Sequence, residues 1–226
     1  GKVIAAAGFA GVSMGVGDAI QSFMNFEAGM SQVSAISGAT GAQLDMLTAK
    51  AKEMGATTKF TATNAAEAFN YMAMAGWNTE QMLAGIEPVM NLAAASGLDL
   101  GRTSDIVTDA LTAFGLKAED TSMFADVLAT ASARSNTNVD MLGESFKYAA
   151  PVAGALGYSI QDTAIALGIM ANSGIKGSMA GTTLRRALSN LSSPSESVAA
   201  AMDKYNISLT DSQGNMKSLG ELMDNI

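Results

Sequence analysis

Three times along this chain a helical pattern halts at a glycine, passes one large apolar residue and restarts within a few polar residues. The halts are Gly76-Trp77-Asn78, Gly115-Leu116-Lys117 and Gly157-Tyr158-Ser159. A second kind of halt alternates with them, at Gly97-Leu98-Asp99, Asn136-Thr137-Asn138 and Gly174-Ile175-Lys176. Successive halts of one kind fall about forty residues apart, the length of one helix hairpin in a repeat architecture. Glycine just past a helix takes the left-handed cap that ends it. A chain punctuated in this way does not form one rod. It predicts an all-α fold, a solenoid-like stack of about ten helices in hairpins.

The material for the core is unusual. Hydrophobic residues make up 48% of the 226 residues, yet aromatics only 6%, so the core must be built from Ala, Leu, Ile, Val and 16 Met. Small and flexible side chains suit close helix packing. The chain holds neither Cys nor His, which excludes disulfides, Cys or His metal sites and the usual proton shuttle at neutral pH. No cofactor is expected. A net charge of −8 repels phosphates, and no basic stripe offsets it, so direct nucleic-acid binding is disfavoured.

Along the chain, the spacing divides residues 1–37, 38–205 and 206–226. The first part is an Ala/Gly-rich helix. Residues 3–17 are uncharged but shorter than the roughly twenty apolar residues that span a bilayer. Gly11 and Gly15 permit close helix contact there. The helix continues through a stripe of Phe23, Phe26, Met30 and Val33 and breaks at Gly38 and Gly41. Thr40 and Gln43 then read as a capping box, and Gly55 as the left-handed stop of the second helix.

In the second part, Phe69 and Met72 mark the core face of one helix, and Ile86, Val89 and Met90 that of the next. Ile106, Val107 and Leu111, then Phe124 and Leu128, then Met141, Leu142 and Phe146, then Ile165, Gly168 and Ile169, mark those that follow. Pro88 and Pro151 should kink or split their helices. In the third part, short alternating runs at 207–209 and 216–218 flank a polar turn and suggest a small β-hairpin, with a further helix beginning at Leu219. Beginning at Gly1 and ending within an apolar pattern, the chain reads as a piece of a longer protein.

Chemistry is harder to find. Glu119 and Asp120 are adjacent, so on a helix they point apart, and they suit the positive end of the following helix. Ser173 and Lys176 are close in sequence, with nothing further to support a dyad. The run Gly174 to Thr183 has Lys176 before its second glycine and follows a helix, which is the wrong order and context for a phosphate loop. Gly174 reads instead as a cap, with Gly177 and Gly181 allowing close helix approach. Arg185 is expected to pair within the fold and Arg186 to be solvated. Trp77 and Tyr158 are expected to fold back on the helices they follow.

Several spaced blocks resemble one family. They are Ala66 to Trp77, Asn91 to Gly97, Tyr148 to Tyr158, and above all Ala171-Asn172-Ser173-Gly174-Ile175-Lys176-Gly177-Ser178-Met179-Ala180-Gly181-Thr182-Thr183-Leu184-Arg185-Arg186-Ala187-Leu188. Together with Asp211 to Lys217, they resemble the core region of phage tail tape measure proteins over roughly residues 20–226. The positions that carry the likeness are Gly76, Trp77, Gly97, Gly157, Tyr158, Gly174, Gly177, Gly181 and Arg185, all read as packing positions. The resemblance implies a structural virion protein of the tail lumen, present in the host cytoplasm during assembly. It implies roles in tail length and genome ejection. Its implied partners are other tail proteins (tube, tip or chaperone), itself, and transiently the host membrane. A membrane-active helical module is the alternative, resting on residues 3–17. Enzymatic activity is disfavoured by the missing His and Cys. Compact-domain scaling gives an expected radius of gyration of roughly 17 Å.

Overall fold

The structure, a computed structural model, describes residues 16–205, 207–213, 217, 218, 220 and 221. Among these the elements are α1 (Val16–Ser37), α2 (Ala42–Thr57), α3 (Ala62–Met74), α4 (Thr79–Ser96), α5 (Leu100–Ala113), α6 (Thr121–Arg134), α7 (Val139–Ala155), α8 (Ile160–Asn172), α9 (Gly177–Ser192) and α10 (Glu196–Lys204). A 3-10 turn, Ala118–Asp120, precedes α6. The small apolar run at residues 3–15 lies outside the described residues.

Four of the halts are one hydrogen-bonded motif. After α3, the Trp77 N–H donates to the Met72 carbonyl (3.0 Å) and the Gly76 N–H to Ala73 (2.9 Å). The same pair recurs as Leu116 to Leu111 and Gly115 to Thr112, as Tyr158 to Ala153 and Gly157 to Gly154, and as Ile175 to Met170 and Gly174 to Ala171. Each glycine has φ between 66° and 88°. Two carbonyls that the helix end leaves open are thereby satisfied, and the next large apolar residue is turned into the core or against it; the Trp77 ring lies on α4 rather than on the helix it follows. Gly174 thus belongs with the first kind of halt. Gly97 is the simpler form, one bond from its N–H to Ala93 at φ 72°. The next helix is then opened by a side chain: Asn78 accepts from the Gln81 N–H, Asp99 from Arg102, Asn138 from Met141 and Ser159 from Asp162.

The hairpins stack so that alternate helices are neighbours. Helices α1, α3, α5, α7 and α9 pack on one another in order as one layer, and α2, α4, α6 and α8 form the other. The core runs continuously between them from Phe26 to Leu188. Phe146 sits edge-on to Phe114 (6.1 Å between centroids) and to Phe124 (5.6 Å), tying α7 to α5 and α6.

The odd layer depends on missing side chains. A Cβ on Gly143 of α7 would lie 2.5 Å from Ile106 of α5. A Cβ on Gly181 of α9 would overlap the Ser145 carbonyl of α7, which is backbone and cannot yield. Beside it the Ser145 hydroxyl donates to the Gly177 carbonyl (2.8 Å) and locks the same contact.

Several expectations need correction. Thr40 and Gln43 make no capping box: Gly41, at φ 54°, occupies the cap position and no side chain caps α2. Gly55 does not end α2, which continues to Thr57 and stops at Thr58, whose hydroxyl and N–H both reach the Met54 carbonyl. Gly55 instead makes room, since a Cβ there would lie 2.6 Å from the Ala62 nitrogen. Gly177 has φ 59° and nothing near its Cβ position, so backbone conformation rather than close approach requires glycine there.

Pro88 and Pro151 split neither α4 nor α7. Each lines a groove together with the residue four before it, Ala84 or Lys147. Phe23, Met141, Ile165 and Ile169, expected in the core, are exposed. In the tail, residues 214–216 and 219 lie outside the described residues. Of the expected hairpin, the Lys217 N–H donates to the Leu209 carbonyl (2.9 Å), Thr210 is an isolated bridge residue, and no strand occurs among the described residues.

Alanine has the higher helix propensity by up to about 1 kcal/mol, but overpacking costs about 1–3 kcal/mol. Gly181→Ala should therefore lower stability by about 1–2 kcal/mol. The urea midpoint with an unchanged slope checks this.

Candidate interaction surfaces

The two layers present different chemistry. On the odd layer Arg102, near the start of α5, holds three carboxylates. Its Nε meets Asp140 of α7 at 2.9 Å, one terminal nitrogen meets Asp105 at 3.1 Å, and the other meets Glu144 of α7 at 3.3 Å. The spacing makes this possible: Asp140 and Glu144 are one helical turn apart and share a face. Asp109, one turn beyond Asp105, shares a shallow groove of about 200 Å³ with Lys147. Partial desolvation there, and Asp105 beside it, hold the Asp109 carboxyl above the usual carboxylate range, while Lys147 and Arg102 pull it down.

The even layer is lined by small and apolar side chains. A groove of about 650 Å³ runs between α6 and α8, walled by Met123, Val127, Ala131, Ala164, Ile165 and Ile169. Ile165 is 61% exposed and Ile169 50%. Asp126 and Arg134 stand along its α6 wall. At one end the Gln161 amide donates to the Met123 sulfur (3.1 Å) and bridges the helices. A second groove of about 500 Å³ between α4 and α6 shares Asp126 with it. The exposure of Ile165 and Ile169 has a plain cause. Apolar residues run almost round α8, so periodicity does not choose its buried face; the packing of Ile160, Ala164, Leu167 and Ala171 does.

A third surface is the start of α1. Residues 17–25 are all exposed among the described residues, and Phe23 is 60% exposed. From Phe26 onward the same helix is in the core.

The positions singled out in the sequence fall elsewhere. Trp77 is buried, its ring where a Cβ on Gly85 of α4 would sit, and Tyr158 is buried behind Gly157. Burial pushes the Tyr158 phenol up, with Asp162 adding to it. Gly76, Gly97, Gly157 and Gly174 are caps, and Gly181 is the α7–α9 contact. Arg185 does not pair as expected. It is exposed, and no hydrogen bond or ion pair reaches it among the described residues, because α9 turns Leu184 and Leu188 inward instead. The structure does not bring these positions into one site.

Nor does a catalytic group assemble from the candidates. The Ser173 hydroxyl donates to the Ile169 carbonyl (3.3 Å), and Asp120 accepts the Lys117 N–H (2.9 Å). Among the described residues no cluster of carboxylates could hold a metal ion, and no helix is long and apolar enough to cross a membrane. Sequence reasoning missed the Arg102 clasp, although the spacing of Asp140 and Glu144 hinted at a shared partner. It also missed Thr103, Ser104 and Thr108, buried in α5 with each hydroxyl bonded to a carbonyl one turn back.

A family model described as phage-related minor tail protein matches residues 48–226. The chain is 41% identical over 214 residues to the tape measure protein of Pneumococcus phage Dp-1, covering 95% of this chain and 18% of that protein. It is 29% identical over 191 residues to the probable tape measure protein of Escherichia phage P2, covering 84% of this chain and 23% of that one. The chain thus spans about a fifth of the length of these relatives. No solved structure matches it.

The raised Asp109 pKa fixes a sign. Its ionised form opposes folding, fully so above the folded pKa, and the opposition fades as pH falls toward the unfolded value. Asp109→Asn should therefore raise the melting temperature at neutral pH. The gain should vanish below the ordinary aspartate pKa of about 3.9, as paired thermal melts across pH would record.

Proposed function

Because the chain belongs to the phage-related minor tail protein family, we propose that it is a folded, non-enzymatic domain of a tail tape measure protein, carried in the virion tail. One observation carries the form of this proposal. Among the described residues the longest helix is α1 at 22 residues, and the helices that follow turn back on the stack. A ruler gains length as continuous helix, at about 1.5 Å per residue. Stretched as one helix the 226 residues would measure about 340 Å. The stack forgoes that length, so this domain is a head or plug, and the ruler lies in other parts of the tape.

The division at residues 37 and 205 then reads as arm, body and trailing segment. The body sits in the tail lumen against tube, tip or chaperone proteins, and it is assembled in the host cytoplasm. Its core of Ala, Met and Leu makes it a domain that unfolds readily when the tail contents leave. The membrane-active reading finds no support among the described helices, none of which is long and apolar enough to cross a bilayer.

Deleting this segment in frame from its parent phage tests the reading. Tails of unchanged length that lose infectivity are the expected result in electron micrographs and plaque assays. Tails shortened by about 1.5 Å per deleted residue would make the segment part of the ruler.

A further inference from the structure

The start of α1 is an amphipathic helix whose apolar side no described residue covers. Ile20, Phe23, Met24 and Glu27 recur at the spacing that puts residues on one face, and all four are exposed. Asp18, Gln21 and Asn25 occupy the opposite side, where the Gln21 amide donates to Asn25 (2.9 Å). The groove between α6 and α8 is the complementary shape, an open apolar trough whose exposed walls are Ile165 and Ile169. Along α6 it extends from Met123 to Arg134, about 16 Å at helical rise, which is room for three turns.

Charge is complementary as well. Arg134, the groove's cation, has no ion pair among the described residues. The charged residues of α1 are Asp18 and Glu27, both acidic. Glu27 lies on the apolar side, one turn beyond Phe23, while Asp18 faces away. Seating the arm with Glu27 at Arg134 runs it parallel to α6; Asp18 then stands level with Asp126 but on the side of the arm turned away from the groove.

Within one molecule the two cannot meet. Between α1 and α7, which carries α8, stand α3 and α5, each adding a helix spacing of about 8–10 Å. We infer that the arm of α1 in one copy seats in the α6–α8 groove of a second copy, so that this domain associates with itself head to tail. Such a contact joins two different surfaces and leaves one of each free, so it propagates into chains or rings. This inference is independent of the tail role proposed above.

Sedimentation of the purified chain over a concentration series tests it. The average mass should rise with concentration. Phe23→Asp and Ile165→Asp should each sediment as monomers, both being exposed positions where circular dichroism can verify an intact fold. Mixed one to one, the two variants should give a dimer and nothing larger, since each supplies the surface the other lacks. Glu27→Arg and Arg134→Glu should each weaken association by about two- to fivefold, and the double variant should restore it. A parent chain that stays monomeric to its solubility limit overturns the inference. So does a mixture that remains monomeric. Association lost with Phe23→Asp but kept with Ile165→Asp would mean that arms pair with arms, and also overturns it.

Discussion

The odd-numbered helices approach so closely that in places no methyl group fits between them. Gly143 lies against Ile106, and Gly181 lies against the backbone of Ser145. Protein interiors are packed to crystal density, so the absence of a side chain at such a point draws the facing helix in. The contacts along the row α1, α3, α5, α7 and α9 make one continuous core, and the even helices close it on one side. Short side chains at these crossings let a chain with 6% aromatics bury a continuous core: proximity replaces bulk.

The stack is regular because its corners are regular. Four turns share the same two backbone bonds around a left-handed glycine, and each delivers a large apolar residue into the core or against it. Trp77 and Tyr158 are buried for this reason, although they stand in connections. Once the corners repeat, the two layers acquire separate characters. The odd layer carries the carboxylates gathered by Arg102, and the even layer carries an open apolar groove between α6 and α8 beside a more polar one between α4 and α6. A repeat stack exposes long faces of this kind, which suits binding along a surface rather than in an enclosed pocket.

Much of this was legible in the residues. The caps at Asn78 and Ser159, the halts at Gly76, Gly97 and Gly157, and the core faces marked by Phe69, Met72 and Phe124 follow from local rules. The rules failed where two local signals competed. Thr40 is a good capping residue, but Gly41 takes the position. Gly55 is a good helix stop, yet the hydroxyl of Thr58 closes the helix later. The interaction surfaces were less legible. Ile165 and Ile169 carry the same apolar signal as the core residues beside them, and Thr103 and Ser104 carry a polar signal that their own helix satisfies.

What the sequence by itself determined is the hairpin repeat and most of the helix ends among the described residues, since capping and turn chemistry act over a few residues. It also carried the family likeness, because that likeness rests on the same spaced blocks. Only the tertiary structure decided which side of each helix was buried, which glycines were spacers rather than caps, and where apolar surface stayed open. Those outcomes depend on which helices become neighbours. In a stack where each helix meets the second one along the chain, that choice is made by contacts between segments about forty residues apart, beyond the reach of any local pattern.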